Sequence, residues 1–389
     1  MNAIRYPELV QLAKQAGRCI SIYMPTYRAA AVAHDNQPRF KALLKTASEA
    51  IQSRGLSETD THSFLEPASQ LLGRLAFWQE VRRGLAIFIS GQNIRAFHMA
   101  FECEELCIAG NRFHVTPLIQ WLNEDASYYL LAVSQNSARL LHGTRCTLDE
   151  VDVPDLPSSR DEALNYDPRE GFYQTHSGQP QLRGKEGIVF TGQGGEVDVA
   201  KDEISSYFRL IDIAVSRCLA TQSEPLLFAG VDYLYSIYRR QNHYSHLVFK
   251  HIAGNPDLFS SPDLRKRAWM IIESLLRERQ ETAIARYWEF VGQGRSCNRM
   301  EDILDAADTG MVETLFVCPA IRRWGKYDSN SQTVHLDRGP APDNQELINL
   351  AVCLVLKHHG TVESIVSGNI PGGGSMAAVL RFTAIPAIV

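Results

Sequence analysis

The chain has 389 residues, more than one ordinary hydrophobic core accommodates, and its 45% hydrophobic and 21% charged residues are a globular mixture. A formal net charge of −5 at pH 7 excludes a general polyanion binder, so any contact with RNA has to come from local basic patches. The opening MNAIRYPELVQLAKQ has no signal-peptide apolar run, and Leu347 to Leu356 is too short an apolar stretch to span a bilayer, which points to a cytoplasmic protein with no membrane attachment.

Residues 1–124 read as an α+β domain. CISIYMPT, from Cys19, has the composition of a strand, and QPRFKALLKTASEAIQ places apolar residues at helical spacing up to a stop at Gly55. A second helix is expected around Ser63 to Leu75. GLAIFIS, IRAFHM and ELCIAG then form short β-rich runs separated by polar turns. Cys103 and Cys107 are the only close pair among eight cysteines. Without a second pair they read as buried apolar side chains rather than metal ligands.

Residues 125–260 begin with SYYLLAVSQ and SARLLHGT, a strand meander. From Pro154 to Asp198 the chain turns polar and rich in Gly, Pro and Ser, and a connection of that length is usually functional or disordered. An amphipathic helix follows. It places Ile204, Tyr207, Phe208, Ile211, Val215 and Leu219 on one face, with Asp198 as its expected N-cap. PLLFAGV then reads as a buried strand, and the alternation of helix and strand favours an α/β layer.

Residues 261–389 open with a long basic helix, Asp263 to Val291, and a short one, Glu301 to Ala307. The strand VETLFV, a polar hairpin, a helix from Gln345 to Lys357 and the closing strands TVESIVS and AAVLRFT complete the segment.

Four constellations carry chemistry. The first is the loop Thr191-Gly192-Gln193-Gly194-Gly195-Glu196: glycines permit close backbone approach to a ligand, and a glutamine amide can orient water, though a mobile surface loop explains the same residues. Glu196 and Asp198 argue against a phosphate cradle there. In the second, His243 and His246 form H-x-x-H with His251 nearby, which on a helix would share a face, but no further ligand completes a metal motif. The third is negative: Asp232 is the one acid directly following a strand of the middle segment, too little for a two-metal nuclease. The fourth is a basic set, Arg239, Arg240, Arg265, Lys266, Arg267, Arg322, Arg323 and Lys326 with Trp324 and Tyr327, able to grip phosphate and stack bases, or simply to form a solvated face.

Several stretches together resemble one family, the bacterial homologues of the archaeo-eukaryotic class-one peptide release factors and Pelota-like rescue factors. They are RERQETAIARYWEFVGQGRSCNRMEDILDAADTGMVETLFV, the closing IPGGGSMAAVLRFT, the hairpin YYLLAVSQNSARLLHGT, and the leading SIYMPT and FW…GLAIF. The resemblance implies three domains: N-terminal α+β, middle RNase-H-like α/β, and a C-terminal L7Ae-like α/β/α sandwich. It also implies a ribosome or tRNA as partner, and a possible protein partner through the C-terminal domain. In the family the middle domain carries Gly-Gly-Gln on a loop before a helix, where it helps water attack the peptidyl ester. Here the slot reads Gln193-Gly194-Gly195 after Gly192, the reverse order.

The leading expectation is therefore a release-factor-like protein that binds ribosome or tRNA in termination, rescue or recycling, without hydrolysis. A peptidyl-tRNA ester hydrolase using Gln193 is one alternative, and a stand-alone RNA-binding or interaction protein is another. No cofactor or metal is expected.

Overall fold

The computed structural model describes residues 6–27, 35–81, 83–99, 102–124, 126–134, 137–157, 159, 195–366 and 368–383. These form a mixed α/β protein with several sheets, divided into two compact units: Met1–Asp125 together with Leu276–Val389, and Ala126–Leu275. Within the described residues no helix is long and apolar enough to cross a membrane.

In the first unit, strands β1 (Ala16–Pro25), β2 (Gly84–Ser90), β3 (Asn93–Met99) and β4 (Leu106–Arg112) form an antiparallel sheet in the order β3-β2-β1-β4. Both faces of its central strands are apolar, so the alternation of side chains splits them between two cores. Ile20, Ile22, Met24, Leu85, Ile87 and Ile89 pack with Phe40, Leu43 and Leu44 of helix α2 (Asn36–Gln52) and Leu65 of α3 (Glu58–Ser69). Cys19, Tyr23, Ala86 and Phe88 belong to the other core, with Leu9 and Leu12 of α1 (Tyr6–Lys14). The second predicted helix lies earlier than the periodicity suggested, because the Ser57 side chain accepts the Asp60 N–H and starts it there. A short helix α4 (Leu75–Gln79) precedes β2, and α5 (Thr116–Glu124) follows β4.

That second core also takes Ile303 and Leu304 of α9 (Met300–Asp308) and most of α10 (Leu347–Lys357), which is buried from Leu347 to Leu356. Helix α10 begins two residues after the expected Gln345. Glu346 acts as its N-cap, its carboxylate accepting the N–H groups of Ile348 and Asn349. Strands β10 (Ser296–Cys297), β16 (Met376–Leu380), β11 (Val312–Val317) and β15 (Thr361–Ser364) form a mixed sheet in that order, in which β11 and β15 are parallel. VETLFV and the Met376–Leu380 part of the closing run thus share a sheet. The polar hairpin is β12 (Trp324–Asp328) with β13 (Thr333–Asp337), and β14 (Gln345–Glu346) pairs with the other edge of β12.

The second unit holds a five-stranded sheet in the order β7-β6-β5-β8-β9. Strands β5 (Tyr128–Val133), β6 (Ala138–Gly143) and β7 (Leu148–Val151) are the antiparallel meander, while β8 (Leu226–Gly230) and β9 (Ile252–Ala253) run parallel to β5. Tyr207, Phe208, Ile211 and Val215 of α6 (Gly195–Cys218), and Leu219 just past its end, are buried against it, with Ile204 only partly so. Asp198 falls inside α6 rather than capping it. Helix α7 (Asp232–Gln241) follows β8, and α8 (Ser261–Phe290) is the long basic helix.

Candidate nucleic-acid interface

Gly192, Gln193 and Gly194 lie outside the described residues, as does most of the polar stretch from Pro154 to Asp198. Gly195 is the first residue of α6. The basic candidates of the middle segment are fully described. Arg239 and Arg240 end α7, where cations suit the negative end of the helix dipole, and both are exposed. The Arg239 guanidinium sits 4.7 Å from the ring centroid of Phe249, a side chain that is 75% exposed. Phe249 is held outward by its backbone, because Tyr235 donates its hydroxyl to the carbonyls of Val248 and Phe249 at 3.1 and 2.8 Å. An exposed aromatic ring under a guanidinium is the combination that stacks unpaired bases and grips phosphate.

The histidines are not on a helix. Helix α7 ends at Gln241, where the Asn242 side chain donates to the Tyr244 carbonyl and turns the chain, so His243 and His246 do not share a helical face. Each histidine has its own setting instead. Exposed His243 meets the buried carboxylate of Asp212: the Nδ1 to Oδ2 distance is 2.6 Å, and the His243 backbone N–H donates to Oδ1 at 3.0 Å. The hydrogen bond to Asp212 raises the pKa of His243. His251 stacks on Tyr235 at 4.1 Å between centroids and pairs with Asp232 at 2.9 Å. His246 packs edge-on to Tyr244. No group of three or more histidine, cysteine or acidic side chains able to hold a metal occurs among the described residues. Burial pushes the Cys103 and Cys107 thiols up to about 11 and about 12, which fits unreactive apolar side chains.

The C-terminal candidates are less open than the sequence suggested. Arg322 is partly buried and its Nη2 lies 3.0 Å from Glu104 Oε2. The Lys326 ammonium is paired with Asp343. Trp324 and Tyr327 are partly buried and Gly325 is buried. Arg323 is exposed, with its backbone N–H donated to the Glu346 carboxylate at 2.7 Å. Sequence reasoning counted the cations but missed Glu104 and Asp343, which lie far from them along the chain or across a loop. It also missed Phe249 as a partner for Arg239, although an aromatic residue shortly after a basic helix end is a usable signal.

Residues 128–274 match the family model described as bacterial archaeo-eukaryotic release factor family 7. The resemblance read from the sequence is borne out. The release-factor-like match coincides closely with the second compact unit, Ala126–Leu275, and contains Arg239, Arg240, His243 and Phe249. No curated protein matches the chain. Among solved structures, an archaeal translation termination factor, aRF1, is 14% identical over 98% of this chain and 99% of its own, with a TM-score of 0.23. Pelota of Thermoplasma acidophilum is 10% identical over 99% and 96%, with a TM-score of 0.24. Dom34 of S. cerevisiae is 8% identical over 78% and 75%, with a TM-score of 0.36.

Proposed function

We propose that this protein binds the ribosome or tRNA in translation termination, rescue or recycling, and acts without hydrolysing the peptidyl ester. What supports the reading is that the family-matched segment carries its own cationic, aromatic surface: Arg239 over the exposed Phe249, Arg240 beside it in sequence, and an exposed His243 held by Asp212. In a chain of net charge −5 this local patch is where a phosphate backbone would be attracted. The reading includes three domains, residues 1–124, 125–260 and 261–389, the middle one RNase-H-like and the last L7Ae-like. Arg323 serves as an outlying contact for RNA or a protein partner. The reversed order Gln193-Gly194-Gly195 sets the glutamine two positions early, and catalytic positioning is sensitive at about one ångström. Co-sedimentation with ribosomes at low and high salt, and binding to tRNA, test the proposal. We expect binding that weakens with salt and falls by roughly tenfold or more in Arg239→Glu/Arg240→Glu, which removes two phosphate contacts. Equal affinity for any RNA with none for ribosomes would favour a stand-alone RNA-binding protein. Peptide release from stalled ribosomes that is lost in Gln193→Ala would establish the hydrolase instead.

A further inference from the structure

Within the unit formed by Met1–Asp125 and Leu276–Val389, β1, α2, β4, β12 and residues 342–345 line a cavity of about 470 Å³. That size fits a ligand on the scale of a nucleotide. Its ionic lining is lopsided. Three cations, Arg18, Arg54 and Lys326, face a single carboxylate, Asp343, and that carboxylate is engaged by Lys326. An excess of two positive charges therefore remains in one concavity of a chain whose overall charge is −5. A concave surface with one sign of charge focuses its field and concentrates ions of the opposite sign.

The cavity is also built. Arg54 Nη2 donates to the carbonyl oxygens of Ala341 and Asn344 at 3.1 and 3.0 Å, which fixes the guanidinium without cancelling its charge. The loop receiving it is fastened by Asn344, a buried side chain. Its Oδ1 accepts the Ala341 N–H at 2.8 Å, and its Nδ2 donates to Asp337 Oδ2 and the Gly339 carbonyl at 2.8 and 2.9 Å. A guanidinium keeps further N–H donors once two bonds are made, and its planar fork matches two oxygens of a phosphate. Asn111 and Gln345 add neutral amides to the lining.

We infer that this cavity binds a phosphorylated small molecule of nucleotide size, with Arg18 and Arg54 holding its phosphate groups. The site lies outside the segment that matches the release-factor family, so it stands or falls independently of ribosome binding.

The test is calorimetric titration of the full chain with pyrophosphate and with ATP, using adenosine as the uncharged control. Pyrophosphate and ATP should bind saturably, and adenosine should not. Arg18 is exposed, so Arg18→Ala should leave the thermal unfolding midpoint unchanged while weakening binding by about tenfold or more, the scale expected for losing a charge-assisted bidentate contact. Arg54→Lys keeps the charge but loses the fork and should also weaken binding; if that variant is unstable, Arg18→Ala remains decisive. No saturable binding of pyrophosphate or ATP at millimolar concentration would overturn the inference, as would unchanged affinity in a folded Arg18→Ala protein. Binding of an RNA oligonucleotide with which neither pyrophosphate nor ATP competes would also overturn it, since the occupant would then be a polymer.

Discussion

The side-chain oxygen of Asn349 accepts the backbone N–H of Val115 at 2.7 Å, joining residues 234 positions apart inside a buried core. The same oxygen accepts the N–H and hydroxyl of Thr116, and the Asn349 amide donates to the Phe113 carbonyl at 2.9 Å. One side chain thus supplies the groups that the first turn of α5 cannot satisfy within itself.

Replacing Asn349 with Leu leaves buried N–H groups of Val115 and Thr116 without acceptors. Each such group costs about 1–3 kcal/mol, so we expect a total loss of about 2–5 kcal/mol in urea unfolding. A loss below about 0.5 kcal/mol, the scale of a neutral surface change, would show that the bonds are replaced by others.

Glu346 is buried, and burial raises its pKa to about 7 although its carboxylate accepts the N–H groups of Arg323, Asn349 and Ile348. A carboxyl with a raised folded-state pKa contributes stability that is full below its ordinary value near 4.5 and is lost as pH rises through about 7. The thermal unfolding midpoint should therefore fall between pH 5 and pH 8, and Glu346→Gln should flatten that slope. Identical slopes for the two proteins would count against the assignment.

His243 should titrate above its ordinary value, because the bond to Asp212 favours the imidazolium. The stabilisation from this pair is full below the ordinary histidine value and is lost as pH rises through the raised one. Ring-proton chemical shifts followed against pH read this directly. Asp212→Asn should return the midpoint toward the unperturbed value; a midpoint that does not move would assign the shift to something else.

Gly325 faces the neighbouring strand at a point without room for a side chain. A Cβ there would run into the His335 carbonyl oxygen and lie 2.9 Å from Leu347 Cδ1. Gly325→Val should cost about 1–3 kcal/mol, the usual range for overpacking. Full native stability on denaturant titration would mean that the hairpin shifts freely.

The elements with strong periodicity were legible in the sequence. The apolar face of α6, the runs SYYLLAVSQ and PLLFAGV, and the strands VETLFV and AAVLRFT all needed only alternation or a 3.6-residue repeat. What failed was decided by contacts with sequence-distant or capping groups. The Asn242 turn ended α7 before the H-x-x-H pair, and Glu346 set the start of α10. Glu363, in the polar-looking TVES, is buried and answered by Arg279 at 3.0 Å. Among the candidate contact residues, local charge was readable but its neutralisation was not, because Arg322 and Lys326 meet their carboxylates only once the chain has folded.

The two-sided sheet of the first unit has a consequence for how the protein is made. One face, with Ile20, Ile22 and Ile87, is covered by helices encoded nearby, whereas the core of Tyr23 and Phe88 combines the early-encoded α1 and α5 with α9 and α10, encoded beyond residue 299. At elongation rates of about 5–20 residues per second, roughly 10–50 s separate translation of residue 126 from that of the end of α10. During that interval the second face of the nascent sheet has only α1 and α5 to pack with, and the apolar surface that α9 and α10 bury stays exposed. Helices α9 and α10 thus complete a core that α1, β1 and β2 begin, so premature termination before α10 would leave that face of the sheet incompletely covered and a substrate for chaperones and proteases.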